Sequence, residues 1–194
     1  FINNMLISNR IQNSDRSFEV VNPYSREIVD TVSIASAEQV DYALNSSYRF
    51  KCNLPGFDRS QILAKAAKLI ENQKSEFAQL ISSESGLCIK HSLYEISRAI
   101  NCLNYSVKQA ELIDDVDLTS DFVSNHSQSD PKLSVISEPW DLAIGITPFN
   151  HPLNMVVHKV APAIAAGTSI VIKPSEKTPL TAIKFGEILV ACGL

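Results

Sequence analysis

The 194 residues suffice for one large domain or a domain plus an extension, and at 45% hydrophobic and 20% charged they have the balance of an ordinary soluble globular protein. A net charge of -4 argues against a basic surface for nucleic acid. The four cysteines, at 52, 88, 102 and 192, make no C-x-x-C pair and suggest no disulfide framework, which points to a reduced, cytoplasmic setting.

The first 34 residues read as short strands. "SFEVVNP" and "EIVDTVSI" are rich in β-branched residues and flank the turn-like "NPYSRE". Ser36 followed by Gln39 is a capping-box signature and predicts a helix over 37–50. "LPGFD" reads as a loop whose Asp58 caps a second helix, with Ile62, Ala66, Leu69 and Ile70 on one face. That helix is expected to break near Gln73, to resume with Phe77, Leu80 and Ile81, and to stop at Gly86. Ile96, Ile100, Leu103, Val107 and Ala110 then alternate steps of four and three, the buried stripe of a helix over 90–113. Nothing in this first part reads as a site.

Residues 114–131 are polar and acidic. They read either as a solvated loop or as an exposed hairpin pairing 118–123 with 132–137, whose unpaired edges need a partner. From 141 the pattern changes to β-α-β-α, the repeat of a parallel sheet with helices on its faces. "DLAIGIT" is an apolar strand, and "HPLNMVVHKVAPAIAAG" a helix with Pro152 near its first turn and Gly167 at its stop. "SIVIK" is a second strand. "TPLTAIKFGEILVACG" is a second helix, with Thr178 as cap, Pro179 at its first position and Gly193 after its end. The most apolar window, "MVVHKVAPAIAA", is broken by His158 and Lys159, so no membrane span is expected.

In open α/β sheets ligands bind beyond the carboxyl ends of the strands. Two loops qualify here, "TPFNH" and "PSEKT", each leading to a helix N-terminus that favours negative charge. Asn150 reads either as a helix cap or as an amide donor to a developing oxyanion. Lys173 ends an apolar strand, so its stem is expected to be buried. Its ammonium reads as a nucleotide ligand or as a solvated strand end. Glu176 reads as an acceptor for a ribose diol or as a first-turn acid. His151 and His158 lie seven apart on one predicted helical face, but no third ligand has suitable spacing and no metal site is expected. Cys192 reads as a buried structural thiol. Neither common phosphate-loop motif occurs.

The segment "ITPFNHPLNMVVHKVAPAIAAGTSIVIKPSEKTPL" resembles the nucleotide-binding part of the NAD(P)-dependent aldehyde dehydrogenases. Their pattern P-[FW]-N-x-P, K-x-x-P-A-[IL]-A-x-G, K-P-[SA]-E-x-T-P is met at 148–152, 159–167 and 173–179. The earlier strands and helices are similar to the family's as well, so the likeness covers essentially the whole chain. "PFNHPLN" resembles the branch acting on small functionalised aldehydes such as lactaldehyde or phosphonoacetaldehyde. Three positions depart from the pattern: Trp140-Asp141 before the strand, Leu87 after Gly86, and His151.

The resemblance implies an incomplete aldehyde dehydrogenase fold of α/β class: N-terminal strands and helices over 1–113, a protruding oligomerisation hairpin over 114–138, and a partial Rossmann-like parallel sheet with flanking helices over 139–194. It implies an oxyanion donor in Asn150 and a nicotinamide-ribose wall from Ile146, Thr147, Pro148 and Phe149. Lys173 and Glu176 would hold the adenosine ribose, with Ser175 in the same loop. A carboxylate at Glu176 opposes a 2′-phosphate, so NAD is expected over NADP. The implied partners are a small aldehyde and, in the intact protein, one or three further copies of the chain. The family's thiohemiacetal-forming cysteine and its water-activating glutamate are not matched by motif in this sequence. The chain is therefore expected to be an N-terminal fragment, inactive alone. A non-catalytic nucleotide-binding or oligomer-capping module, or a decayed gene fragment, are the alternatives.

Overall fold

The computed structural model describes residues 2–3, 5–8, 10–12, 14–113 and 138–194. The expected hairpin pairing 118–123 with 132–137 lies outside the described residues. Thirteen elements follow along the described chain: β1 (Ile2–Asn3), β2 (Met5–Ile7), β3 (Arg10–Gln12), β4 (Ser17–Val21), β5 (Ile28–Ser33), α1 (Ala37–Arg49), α2 (Gly56–Asn72), α3 (Lys74–Ser85), α4 (Ile89–Leu112), β6 (Leu142–Ile146), α5 (Asn154–Ala166), β7 (Ser169–Lys173) and α6 (Leu180–Ala191).

Local sequence accounts for many of the boundaries. Antiparallel β4 and β5 are joined by a turn in which the Asn22 side-chain carbonyl accepts from the N–H groups of Tyr24 and Ser25. The capping box of α1 forms in both directions: Gln39 N–H donates to Ser36 Oγ at 3.2 Å, and Ser36 N–H to Gln39 Oε1 at 3.0 Å. Helices α2 and α3 are separated at Gln73, and α3 ends on Gly86 in the left-handed region at φ 75°. Asp58 departs from expectation. The helix begins two residues earlier, at Gly56, so Asp58 sits inside the first turn and favours its dipole without capping it.

One apolar core joins the two halves of the sequence. Leu63, Ile70, Phe77, Ile81, Ile96 and Leu103 from α2, α3 and α4 share it with Leu153, Val157, Phe185 and Leu189 from the region of α5 and α6. Ile100 and Val107 of the predicted stripe are only partly buried, and Ser92, Glu95 and Ala99 complete the inward face of α4. Helix α5 lies between this helical layer and the β6–β7 pair, so it is buried around most of its circumference. Its exposed side carries His158 and Pro162, one turn apart, so the backbone bond that Pro162 cannot make lies on the solvent side.

The strands β6 and β7 are parallel, with Leu142 opposite Ser169 and Ile146 opposite Lys173. Alternation turns Ile170 and Ile172 toward the core, while Ile144 and Ile146 stand exposed on the other face. The register therefore brings the carboxyl ends of both strands side by side.

Candidate active site

The loops that leave β6 and β7 are tied together at their roots. Thr147 is buried, and its N–H donates to the Lys173 carbonyl at 3.2 Å, extending the ladder by one bond beyond the strands. Farther out, the Lys177 ammonium stands 4.6 Å from the centre of the Phe149 ring, a cation–π contact between the loops. Ile146 is 71% exposed and Phe149 half exposed, so both present apolar surface at this edge; Pro148 and Asn150 are exposed beside them. The structure thus gathers Ile146, Thr147, Pro148, Phe149, Asn150, Lys173, Ser175 and Glu176 at the carboxyl ends of β6 and β7 and on the two loops that follow.

Within that group the side chains differ in what they offer. The Lys173 ammonium pairs with Glu176 Oε2 at 3.2 Å, both well exposed. The expected burial of the Lys173 stem is not found: the face of the sheet at its strand end is open. Glu176 is no first-turn acid either, because α6 starts four residues later. A backbone N–H at Glu176, and after it the Lys173 ammonium, holds its carboxyl below the ordinary range, so it is an anion. Ser175 is buried, and its hydroxyl accepts from Lys177 N–H at 3.2 Å, which shapes the loop.

Asn150 does not cap α5. The helix begins four residues on, after turns through His151 and Pro152, so His151 also lies off the helix and does not share a face with His158. The N-terminus of α5 is instead held by a residue far away in sequence. Glu95, on the inward face of α4, is 1% exposed, and its Oε1 accepts from Leu153 N–H at 2.8 Å and Asn154 N–H at 3.0 Å. Its other oxygen lies 3.5 Å from His151 Nδ1.

Helix α6 is held in the same manner. Glu84, at the end of α3 and 2% exposed, accepts from Leu180 N–H at 2.8 Å and Thr181 N–H at 3.1 Å, and from the Thr181 hydroxyl. Thr178 is therefore not the cap; its buried hydroxyl has no partner among the described residues, and Pro179 stands at the capping position. Two helix N-termini that would leave buried N–H groups unsatisfied are each closed by a carboxylate, which also suits the helix dipole. Burial raises both acids: Glu84 to about 7, against the pull of the Thr181 hydroxyl and the two N–H groups, and Glu95 upward against the N–H groups of Asn154 and Leu153. Sequence reading missed both. The available signal was a charge on an apolar stripe: Glu84 follows Ile81 by three, and Glu95 follows Ser92 by three and precedes Ala99 by four.

At the far end of α5, Arg59 from α2 donates through Nε to the Ala165 carbonyl at 3.1 Å and through Nη1 to Leu54. The helix beyond the Asn150 loop is thus gripped at both ends by charged groups from the helical layer. Cys192 is buried, and burial pushes its thiol up, the reverse of an activated thiolate. Among the described residues no group of three or more His, Cys, Asp or Glu could hold a metal ion, and no helix is long and apolar enough to cross a membrane.

The model of the aldehyde dehydrogenase family matches residues 11–194. Aspartate-semialdehyde dehydrogenase 1 of Pseudomonas canavaninivorans is 37% identical over 179 residues, covering 91% of this chain and 38% of that protein. The 3-sulfolactaldehyde dehydrogenase of Priestia aryabhattai is 31% identical over 192 residues, 98% of this chain and 40% of that one. The crystal structure of an NADP-dependent enzyme of E. coli superposes with a TM-score of 0.91 at 26% identity, covering 100% of this chain and 40% of that one. The chain spans about two fifths of the length of these relatives.

Proposed function

Because the chain belongs to the aldehyde dehydrogenase family, we propose that it supplies the nucleotide-binding edge and the oxyanion donor of an enzyme oxidising a small aldehyde to a carboxylic acid with NAD. A nicotinamide cofactor supplies the hydride acceptor when bound. Residues 1–113 and 139–194 form its cofactor-binding unit, and the intact protein assembles as a homodimer or homotetramer. The relative named for 3-sulfolactaldehyde supports a small functionalised aldehyde as substrate. The site acts in the cytoplasm.

The observation that carries the nucleotide reading is the union of two loops at one sheet edge, an exposed apolar wall on one and an exposed ammonium–carboxylate pair on the other. The residues fit a dinucleotide in kind. Glu176 is an anion able to accept from two vicinal hydroxyls, Lys173 donates to the same sugar, and Ile146 and Phe149 offer a flat apolar surface. Ser175 and Thr147 hold the loops rather than the ligand. Asn150 donates through its amide, which stays neutral at any working pH, to the oxygen of the reacting carbonyl as charge gathers there. A 2′-phosphate beside Glu176 would meet like charge, which favours NAD; Lys173 reduces that preference.

Calorimetric titration of the protein with NAD and NADP tests this. NAD should bind more tightly, Lys173→Ala should weaken both, and Glu176→Gln should narrow the gap between them. Absence of binding, or a gap that Glu176→Gln leaves untouched, would overturn the assignment.

A further inference from the structure

Glu95 uses only one oxygen on helix α5. The other, Oε2, and His151 Nδ1 are both buried, stand 3.5 Å apart, and have no other partner among the described residues. The separation is long for a hydrogen bond, yet two buried polar atoms without any partner would cost about 1–3 kcal/mol each. With Glu95 ionised they serve each other only if Nδ1 carries a proton, because a bare imidazole lone pair would face carboxylate lone pairs. The remainder of the ring is open, with the His151 side chain 38% exposed.

We propose that Glu95 is a positioning residue for the Asn150 loop, one oxygen fixing the start of α5 and the other fixing His151 as its Nδ1–H tautomer. The loop between Thr147 and Leu153 is then anchored at both ends, by the Thr147 bond to Lys173 and by Glu95. Its one imidazole offers an acceptor nitrogen, Nε2, on the side away from Glu95. The consequence for catalysis rests on the reading of Asn150 as oxyanion donor; the tautomer does not.

Glu95→Gln separates the two tasks of the carboxylate. The amide oxygen can still accept from Leu153 and Asn154, while its NH₂ would then face His151 Nδ1 and demand a lone pair there. Two-dimensional ¹H–¹⁵N spectra of the imidazole nitrogens report the tautomer directly. They should be taken at a pH where the nitrogen shifts themselves show a neutral ring. His151→Gln identifies its signals among the four histidines.

The expected result is a single Nδ1–H tautomer in the unaltered protein and an Nε2–H tautomer in Glu95→Gln, with cooperative unfolding retained. A mixture of tautomers in the unaltered protein overturns the proposal even if the variant does not fold. A variant that folds and leaves His151 unchanged overturns it as well. A protein that binds no NAD but shows the tautomer exchange loses the nucleotide reading and keeps this one; binding without the exchange does the reverse.

Discussion

At the scale of single residues, the site divides into groups that face outward and groups that hold them. Asn150, Lys173 and Glu176 are exposed, while Glu84 and Glu95 are buried and bonded. Removing an exposed donor should therefore affect chemistry more than folding. In a turnover-competent enzyme carrying this segment, Asn150→Ala should lower kcat by about 10²–10³-fold and leave the melting temperature nearly unchanged; an unaltered kcat would remove Asn150 from the oxyanion site. Glu84 behaves in the opposite sense. Its folded-state pKa is raised from 4.5 to about 7, so the folded protein keeps a proton that the unfolded chain has already released. Its contribution to stability is therefore greatest below about pH 4.5 and is lost as pH rises through about 7. The loss is about 3 kcal/mol at 1.36 kcal/mol per unit. Glu84→Gln should remove this part of the pH dependence, and stability curves that run parallel for the two proteins would contradict the assignment.

At the scale of elements, capping signals within reach of the local chain were legible and those made by distant partners were not. Ser36 and Gln39 are three residues apart, and their box forms as the spacing predicts. Gly167 was legible as a helix stop because its φ of 75° is a conformation that a side chain disfavours. Gly167→Ala should cost about 1–2 kcal/mol by chemical denaturation. The added methyl would meet the Arg59 guanidinium at an ordinary 3.6 Å, so the cost is backbone strain and not a clash. No measurable loss would show that the end of α5 rearranges. Helix α5 starts at Asn154 and not at His151, and α6 at Leu180 and not at Pro179; Thr178 has the right chemistry for a cap at nearly the right place, and Pro152 looks like a first-turn proline. The carboxylates of Glu95 and Glu84 close those termini instead, which leaves Asn150 available.

At the scale of the whole molecule, the sheet edge depends on a core shared by both halves of the chain. Leu103 is completely buried in that core, in the helix that packs on both α2 and α5. Leu103→Ala should destabilise the protein by about 2–5 kcal/mol. Far-UV circular dichroism and amide exchange at α5 should report one shared transition; separate transitions would mean that the βαβα part folds independently of the helices. The same core explains why residues 1–113, which carry no site motif, matter to the site: they provide Glu84, Glu95 and Arg59.

The sequence by itself determined the succession of elements, the β-α-β-α unit and the two loops at its carboxyl edge. Hydrophobic period, prolines, glycines and short motifs act over a few residues, and a few residues suffice to express them. Only the tertiary structure decided how those loops are held. Glu95 reaches Leu153 across 58 positions, and Glu84 reaches Leu180 across 96. A carboxylate on a helix stripe does not announce which N–H groups will become its partners. That pairing is set when burial removes water from both sides and leaves each only the other to bond.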